Sequence, residues 1–402
     1  MPEIDIERTI EKYYGRIDRL LSDEDRELLD TILDGVEENF NDPAENNPVK
    51  AVEFVQWLDP EPIVDLLRTS YPYFEYIKKR FGPRMRFFAY LMLSKKKNLW
   101  QAYHSISEEE FMKLGFSKRP TYELLREFTF ERIGIEQLPL VLCWVVGTLK
   151  MLLQKKKIQL GKKTFQDATD VRSLKHDKEA KYSGYYKHSG YKLDSTIDAD
   201  TDIPLHYSPM EITTDEGGNL IPSQEHLAFL DINEEERTVD DKYATFANIA
   251  HSEINGTSLY YKIASNWVYS KKGEEKSIKK RYQKYHKEDD FVVSPDLNFM
   301  LRYIYKKGEV EAVGAFYRNQ RMKQAKKDPE RYKKICDKRG VHMEGHFGRV
   351  KLTTLLDDHP GRRGWRQFLL RAGMTMLSLV FAALIRVQNG VFEHLSNVTY
   401  VV

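Results

Sequence analysis

Three acidic residues stand where a fold could gather them. Asp167 lies in the run TFQDATDV, Asp296 directly follows the apolar run FVVSP, and Glu344 sits in a helical stretch late in the chain. Carboxylates brought together repel one another, which favours their protonated forms unless cations compensate. Hard oxygen ligands of this kind select magnesium or manganese over zinc. A pair of such ions about 4 Å apart activates water or a 3′-hydroxyl and stabilises the departing oxygen during attack on a phosphodiester. The plainer reading is that each acid is a turn or helix-cap residue, since 61 acidic side chains supply accidental triads.

The elements that would position these acids begin near residue 160. There QKKKIQLGKK ends a long apolar helix over 138–153, and the hydrophobic period changes. Lys192 to Asp198 alternates as a strand, Leu205 to Met210 is a second, and Phe291 to Ser294 a third, ending at Pro295-Asp296. Val310 to Phe316 reads as another strand. DPERYKKICDKRGVHMEGHFGRVKLTTLL returns to helix, and 367–386 forms a long apolar one. Strands flanked by helices indicate an α/β or α+β domain. Residues 211–290 are too long for a connection and read as an insertion holding the helical TFANIAHSEI.

The 402 residues allow two to three domains. An acidic helical segment is expected over 1–48, a helical domain over 49–160 and an α/β domain over 161–402. The balance of 63 Lys/Arg against 61 Asp/Glu conceals a split, because the first sixty residues are strongly acidic and the rest is basic. Two cysteines, Cys143 and Cys336, exclude a disulfide scaffold and an all-cysteine zinc site. The charged N-terminus lacks the apolar centre of a secretory signal. The most apolar late stretch, Met374 to Ile385, falls short of the approximately 20 residues that span a bilayer, so a soluble protein with no membrane partner is expected.

Ser107 to Phe130 reads as helix, turn, helix, with Thr121 placed to cap the second helix. Binding to duplex DNA and plain helical packing both fit this pattern. Arg68 to Lys97 holds nine Lys/Arg against one acid, and Lys271 to Lys287 holds eight against two. Trp267, Lys271 and Lys272 combine an aromatic surface with phosphate-binding charge, a pattern suited to an unpaired base and its backbone.

Glu344-Gly345-His346-Phe347-Gly348-Arg349-Val350-Lys351 resembles the E-x-x-F-G-x-hydrophobic-K signature of DDE transposases from bacterial and archaeal insertion sequences. Phe165-Gln166-Asp167-Ala168-Thr169 is similar to that family's first-acid strand. SGYYKHSGYKLDSTIDADTDIPLHYSP resembles its hairpin and following turn, with Asp202 where the family has glycine. The resemblance implies a ribonuclease-H-like mixed sheet flanked by helices, with a helical N-terminal region and an insertion before the second acid. It also implies Asp167, Asp296 and Glu344 as catalytic ligands of two divalent cations, Mg2+ or Mn2+. Lys351, Arg349 and Arg339 become DNA contacts, although Arg339 stands five residues before the glutamate where the family has four.

The expected partners are double-stranded DNA, as terminal inverted repeats and as target, with a homodimer in the complex. The expected location is the cytoplasm, on the nucleoid when DNA is bound. A metal-dependent nuclease without strand transfer and a domesticated DNA-binding protein are the alternatives.

Overall fold

Past the helix that ends at Lys155, the chain turns through Gly161 and enters a ten-residue strand. The structure, a computed structural model, describes residues 49–64, 81–94, 98–134, 138–173, 177–263, 310–353, 356, 364–398 and 401. The acidic segment 1–48, the strand expected at 291–294, and Trp267, Lys271, Lys272 and Asp296 lie outside the described residues.

Within that compass, the N-terminal part is helical: α1 (Ala51–Val55), α2 (Phe81–Leu93), α3 (Leu99–His104), α4 (Glu108–Lys113), α5 (Tyr122–Arg126, continued by a π-helical turn Glu127–Ile133) and α6 (Leu138–Lys155). Side chains start three of them. Asn98 caps α3, Ser107 and Glu110 form a reciprocal capping box on α4, and the Thr121 hydroxyl accepts from Leu124 N–H at 3.3 Å on α5. In the expected helix-turn-helix, Phe111, Leu114, Leu125 and Phe128 are buried. The connecting Arg119 lies over the Tyr103 ring, 4.7 Å from its centroid. Its cation is thus used in packing.

The sheet follows the order β2-β3-β1-β5-β6, with β4 also paired to β3. Its strands are β1 (Lys163–Arg172), β2 (Lys181–Ser183), β3 (His188–Asp198), β4 (Pro204–Glu211), β5 (Glu236–Val239) and β6 (Ser258–Tyr261). β1, β3 and β4 form an antiparallel meander, whereas β5 and β6 are parallel to β1. Helices α7 (Leu220–Phe229) and α8 (Phe246–Ile254) make the crossovers. After them come α9 (Val310–Lys327), α10 (Pro329–Gly348) and α11 (Trp365–Gln388), with a π-helical turn Arg349–Thr353 extending α10. This is a ribonuclease-H-like α/β fold with a helical N-terminal region.

Two sequence expectations change. The described part of the 211–290 stretch is no appended insertion, because β5 and β6 lie within the sheet and α7 and α8 join them to it. Composition hid this: the four-residue β5 is ERTV, with polar side chains buried inside an acid-rich run. Val310 to Phe316 is helical, the first turns of an 18-residue helix. The helix packs against α8 with Val313 and Ala315 buried, and the Gly314 Cα approaches the Phe246 carbonyl too closely for a Cβ.

One apolar core joins both parts of the chain. It runs from Phe54, Phe88 and Val145 through Leu377 and Phe381 of α11 to Leu193, Leu205 and Tyr207 of the sheet. α11 is longer than the twelve apolar residues read from sequence, and both it and α6 are long and apolar enough to cross a membrane. Here 94% of the apolar window of α11 is buried inside the protein, where the helix packs on α6, α2 and β4. Gly373 permits the crossing, since a Cβ there would meet Leu138 at 2.7 Å and the Tyr207 hydroxyl at 2.9 Å.

Where α6, β4 and α7 meet, the His206 and His226 rings lie 4.7 Å apart, and Cys143 Sγ is 3.6 Å from His226 Nε2. Burial lowers the His226 pKa to about 4, and burial, reinforced by His226 and Arg237, lowers that of His206. Both histidines are neutral when folded and take up protons near pH 6.5 when unfolded. Stability is therefore full above about pH 6.5 and is lost as pH falls below it, by about 1.4 kcal/mol per pH unit for each histidine. Thermal melts between pH 7.5 and 5 will show this decline, and His226→Gln will reduce its slope by one histidine's share.

Candidate functional site

β1 and β5 are parallel neighbours with Phe165 opposite Thr238. Carried two residues further, the same register sets Asp240 level with Asp167. Alternation along the strands sends both carboxylates to one face, where Ser195 of β3 lies opposite Asp167. Asp240 lies just past the carboxyl end of β5, and Asp167 is midway along β1, two residues beyond its last pairing with β5.

The opposite face explains why these strands hold their register. Arg237 is fully buried and donates to Glu234 Oε1 at 2.8 Å, to Gln166 Oε1 at 2.7 Å and to the Ser223 hydroxyl. Gln166, next to Asp167 in sequence, donates to Asp194 Oδ1 at 2.9 Å, and the Tyr243 hydroxyl donates to Asp194 Oδ2. Thr164 and Gln224 complete the shell of Glu234. Burial pushes the Asp194 pKa up to about 7, against the hydrogen bonds of Tyr243 and Gln166. The network ties β1, β3, β5, α7 and the turn holding Tyr243 together behind the acids.

α10 crosses the acidic face, packing on β1, β5 and β6. Tyr332, Met343, His346 and Val350 are its buried stripe, and Arg339 falls in the same stripe. Met343 packs with Phe165, Ile197 and Ala199, while His346 Nε2 lies 3.0 Å from Ser195 Oγ. Burial lowers the His346 pKa to about 3 and keeps the ring neutral. Arg339 Nη1 contacts Asp167 Oδ2, and its Nη2 lies 3.6 Å from Asp240 Oδ1. Burial raises the Asp167 pKa, with Asp240 adding to it, and Arg339 offsets this only in part.

Glu344 is exposed on α10. Five residues turn a helix through about 500°, so Glu344 stands about 140° from Arg339 and leaves the sheet-facing stripe to it. A spacing of four would have put both on one face. Seven residues later, Lys351 returns to the flank of Glu344 and places Nζ 3.6 Å from Asp170 Oδ1. Asp170 is three residues beyond Asp167 on β1, so by alternation its side chain leaves from the other face of the strand. Burial would raise the Asp170 pKa, but its hydrogen bond with His188 and the Lys351 charge hold it below the usual range.

The expected site residues are therefore distributed as follows. Asp167 sits on the acidic face, Glu344 is on the flank of the crossing helix, and Asp296 is outside the described residues. The three described cations expected to contact DNA all have acidic partners within the protein: Arg339 with Asp167 and Asp240, Lys351 with Asp170, and Arg349 with Asp202 at 3.2 Å. Asp198 is a turn acid, accepting from Gly161 N–H and from Thr201. Asp240 was not singled out from sequence. Its signal was Thr238-Val239 between two acidic clusters, a β-branched pair ending in an acid.

Among the described residues no three His, Cys, Asp or Glu side chains are grouped to enclose an ion. The chemistry of the donors still suits a hard divalent cation. Two carboxylates share one guanidinium, and carboxylate oxygens are the hard donors such a cation takes.

No family model matches the sequence, and no curated protein matches it. Among solved structures the chain is similar to a piggyBac transposase in a synaptic complex with hairpin DNA, at 9% identity over 84% of this chain and 81% of that chain, with a TM-score of 0.28. That overlay is too loose to carry a residue correspondence.

Removing Arg237 would leave Glu234 charged and uncompensated in the interior. Arg237→Leu is expected to destabilise the fold by roughly 3–5 kcal/mol, read from the urea midpoint.

Proposed function

We propose that this chain is a DDE-type DNA transposase, cutting the phosphodiester backbone at element ends and joining the freed ends to target DNA with the help of divalent cations. The observation that carries the reading is the pair Asp167, midway along β1, and Asp240, just past the end of β5, level with each other on a ribonuclease-H-like sheet and crossed by the helix bearing the Glu344–Lys351 signature.

In this reading Asp167 and Asp240 are the principal ligands, and Glu344, exposed about 140° around α10 from Arg339, would have to turn toward them to complete the set. Asp240 takes the role that the sequence reading gave to Asp296. Magnesium or manganese held by these residues supplies Lewis-acid activation of the attacking oxygen and neutralises charge at the phosphate. Lys351 attracts the backbone of a DNA strand, and the carboxylates fix where the scissile phosphate must lie. Two element ends require two such sites, which makes a homodimer the working form on DNA.

One observation favours the non-enzymatic alternative: Arg339 already neutralises part of the acidic pair. A supercoiled donor and target assay in Mg2+ separates the readings. Joined products support transposition, cleavage alone supports a nuclease, and metal-insensitive binding supports a DNA-binding protein. Asp167→Asn or Asp240→Asn should reduce cleavage by at least about two orders of magnitude, the scale on which one preorganised charge acts at a transition state. Asp296→Asn should leave it. Loss of cleavage in Asp296→Asn with retention in Asp240→Asn would reverse the assignment of the second acid.

A further inference from the structure

Both oxygens of Asp167 are already engaged. Oδ1 accepts from Ala168 N–H at 2.9 Å, and Oδ2 is taken by Arg339 Nη1. The other terminal nitrogen of the same guanidinium points to Asp240, so one side chain straddles the pair. The three side chains are only partly exposed, at 17% for Arg339, 25% for Asp167 and 30% for Asp240, so solvent screens their charges less than it would on an open surface. A divalent cation lies about 2.0–2.6 Å from its carboxylate oxygens. Placed on Asp167 Oδ2 it would stand against the guanidinium, with like charges in a half-buried site.

We infer that Arg339 is a built-in counter-ion that occupies the cation site of the free protein and is displaced when a divalent ion binds Asp167 and Asp240. This rests on the reading of that pair as cation ligands. It changes the role of Arg339 from a standing DNA contact to a competitor for the acids. Without Arg339, the two carboxylates repel each other in the cation-free fold, and the site gains affinity for an ion.

Among the described residues, β1 and the residue after β5 bring Asp167 and Asp240 to this guanidinium, α10 supplies Arg339 itself, and the charge of Lys242 acts on Asp240 from the turn that follows. In the same stripe of α10, Tyr332 is bonded to the Tyr261 carbonyl and His346 to Ser195. Neither can replace the lost charge. Lys351 is engaged with Asp170, beyond the pair.

The test is calorimetric titration of the full chain with MnCl2, without DNA, for the unaltered protein and for Arg339→Gln, Asp167→Asn and the double variant. Arg339→Gln should bind Mn2+ about tenfold tighter or more, since a neighbouring like charge is removed at close range. The double variant should lose that gain. In melts, Arg339→Gln should be less stable than the unaltered protein in EDTA and be stabilised more by Mn2+. Arg339→Lys, which keeps the charge but cannot bridge two carboxylates, should fall between them and serves if the glutamine variant fails to fold. Equal affinities in the unaltered protein and the Arg339 variants, with binding still abolished by Asp167→Asn, would overturn the counter-ion role and leave the cation site standing. Absence of Asp167-dependent Mn2+ binding in every variant would overturn the cation site and the counter-ion role together.

Discussion

Repulsion between two carboxylates governs this site. The register of β1 against β5 sets Asp167 and Asp240 side by side, and burial removes much of the water that would screen them. Such a pair persists only with positive charge beside it. In the free protein that charge is Arg339. The arrangement is costly to hold and therefore has to be enforced by what lies behind it.

Enforcement comes from the polar layer on the far face. Arg237 and Glu234 form a buried ion pair whose remaining hydrogen-bonding groups are largely matched by Gln166, Ser223, Thr164 and Gln224. An apolar layer could supply comparable stability, but it would be less sensitive to a slip of one strand against another. Here a slip of β5 would separate Arg237 from Gln166. Because Gln166 directly precedes Asp167 and Arg237 lies three residues before Asp240, the same slip would misplace both acids. Asp194 fits this logic: with its pKa near neutrality it is kept from adding a full negative charge behind Asp167.

The sequence revealed the elements whose side chains follow a simple period. β3 and β4 alternate, α8 follows its cap Thr245 and α11 is predominantly apolar. β5 escaped because two of its three buried side chains are Arg237 and Thr238, which mark a solvated loop by composition. Missing β5 left Asp240 unremarked and turned the sheet's parallel half into an expected insertion. Val310 to Phe316 failed for the opposite reason, since a short apolar run does not separate strand from helix without its continuation. The five-residue spacing from Arg339 to Glu344 was visible in the sequence, but its consequence required a helix seated on the sheet. Only then does one residue of offset decide which side chain meets Asp167.

The seat of α10 bears on how Arg339 can leave. Asp202, standing where the resembled family has glycine, adopts φ 57° and keeps the left-handed turn that glycine would otherwise serve. An aspartate tolerates this conformation better than most residues, and its side chain adds something glycine lacks. Its Oδ1 lies 2.7 Å from His342 Nδ1, and its Oδ2 is 3.2 Å from Arg349 Nη2. With Tyr332 anchored to Tyr261 at the other end and Met343 and His346 seated on the sheet, α10 is held on both sides of Arg339. Moving the helix would break all of these contacts together, whereas rotating one long side chain breaks only the guanidinium's own. Displacement of Arg339 as proposed would therefore need only a change of side-chain rotamer on a fixed helix, and the anchoring supplied by Asp202 is what makes that the easier route.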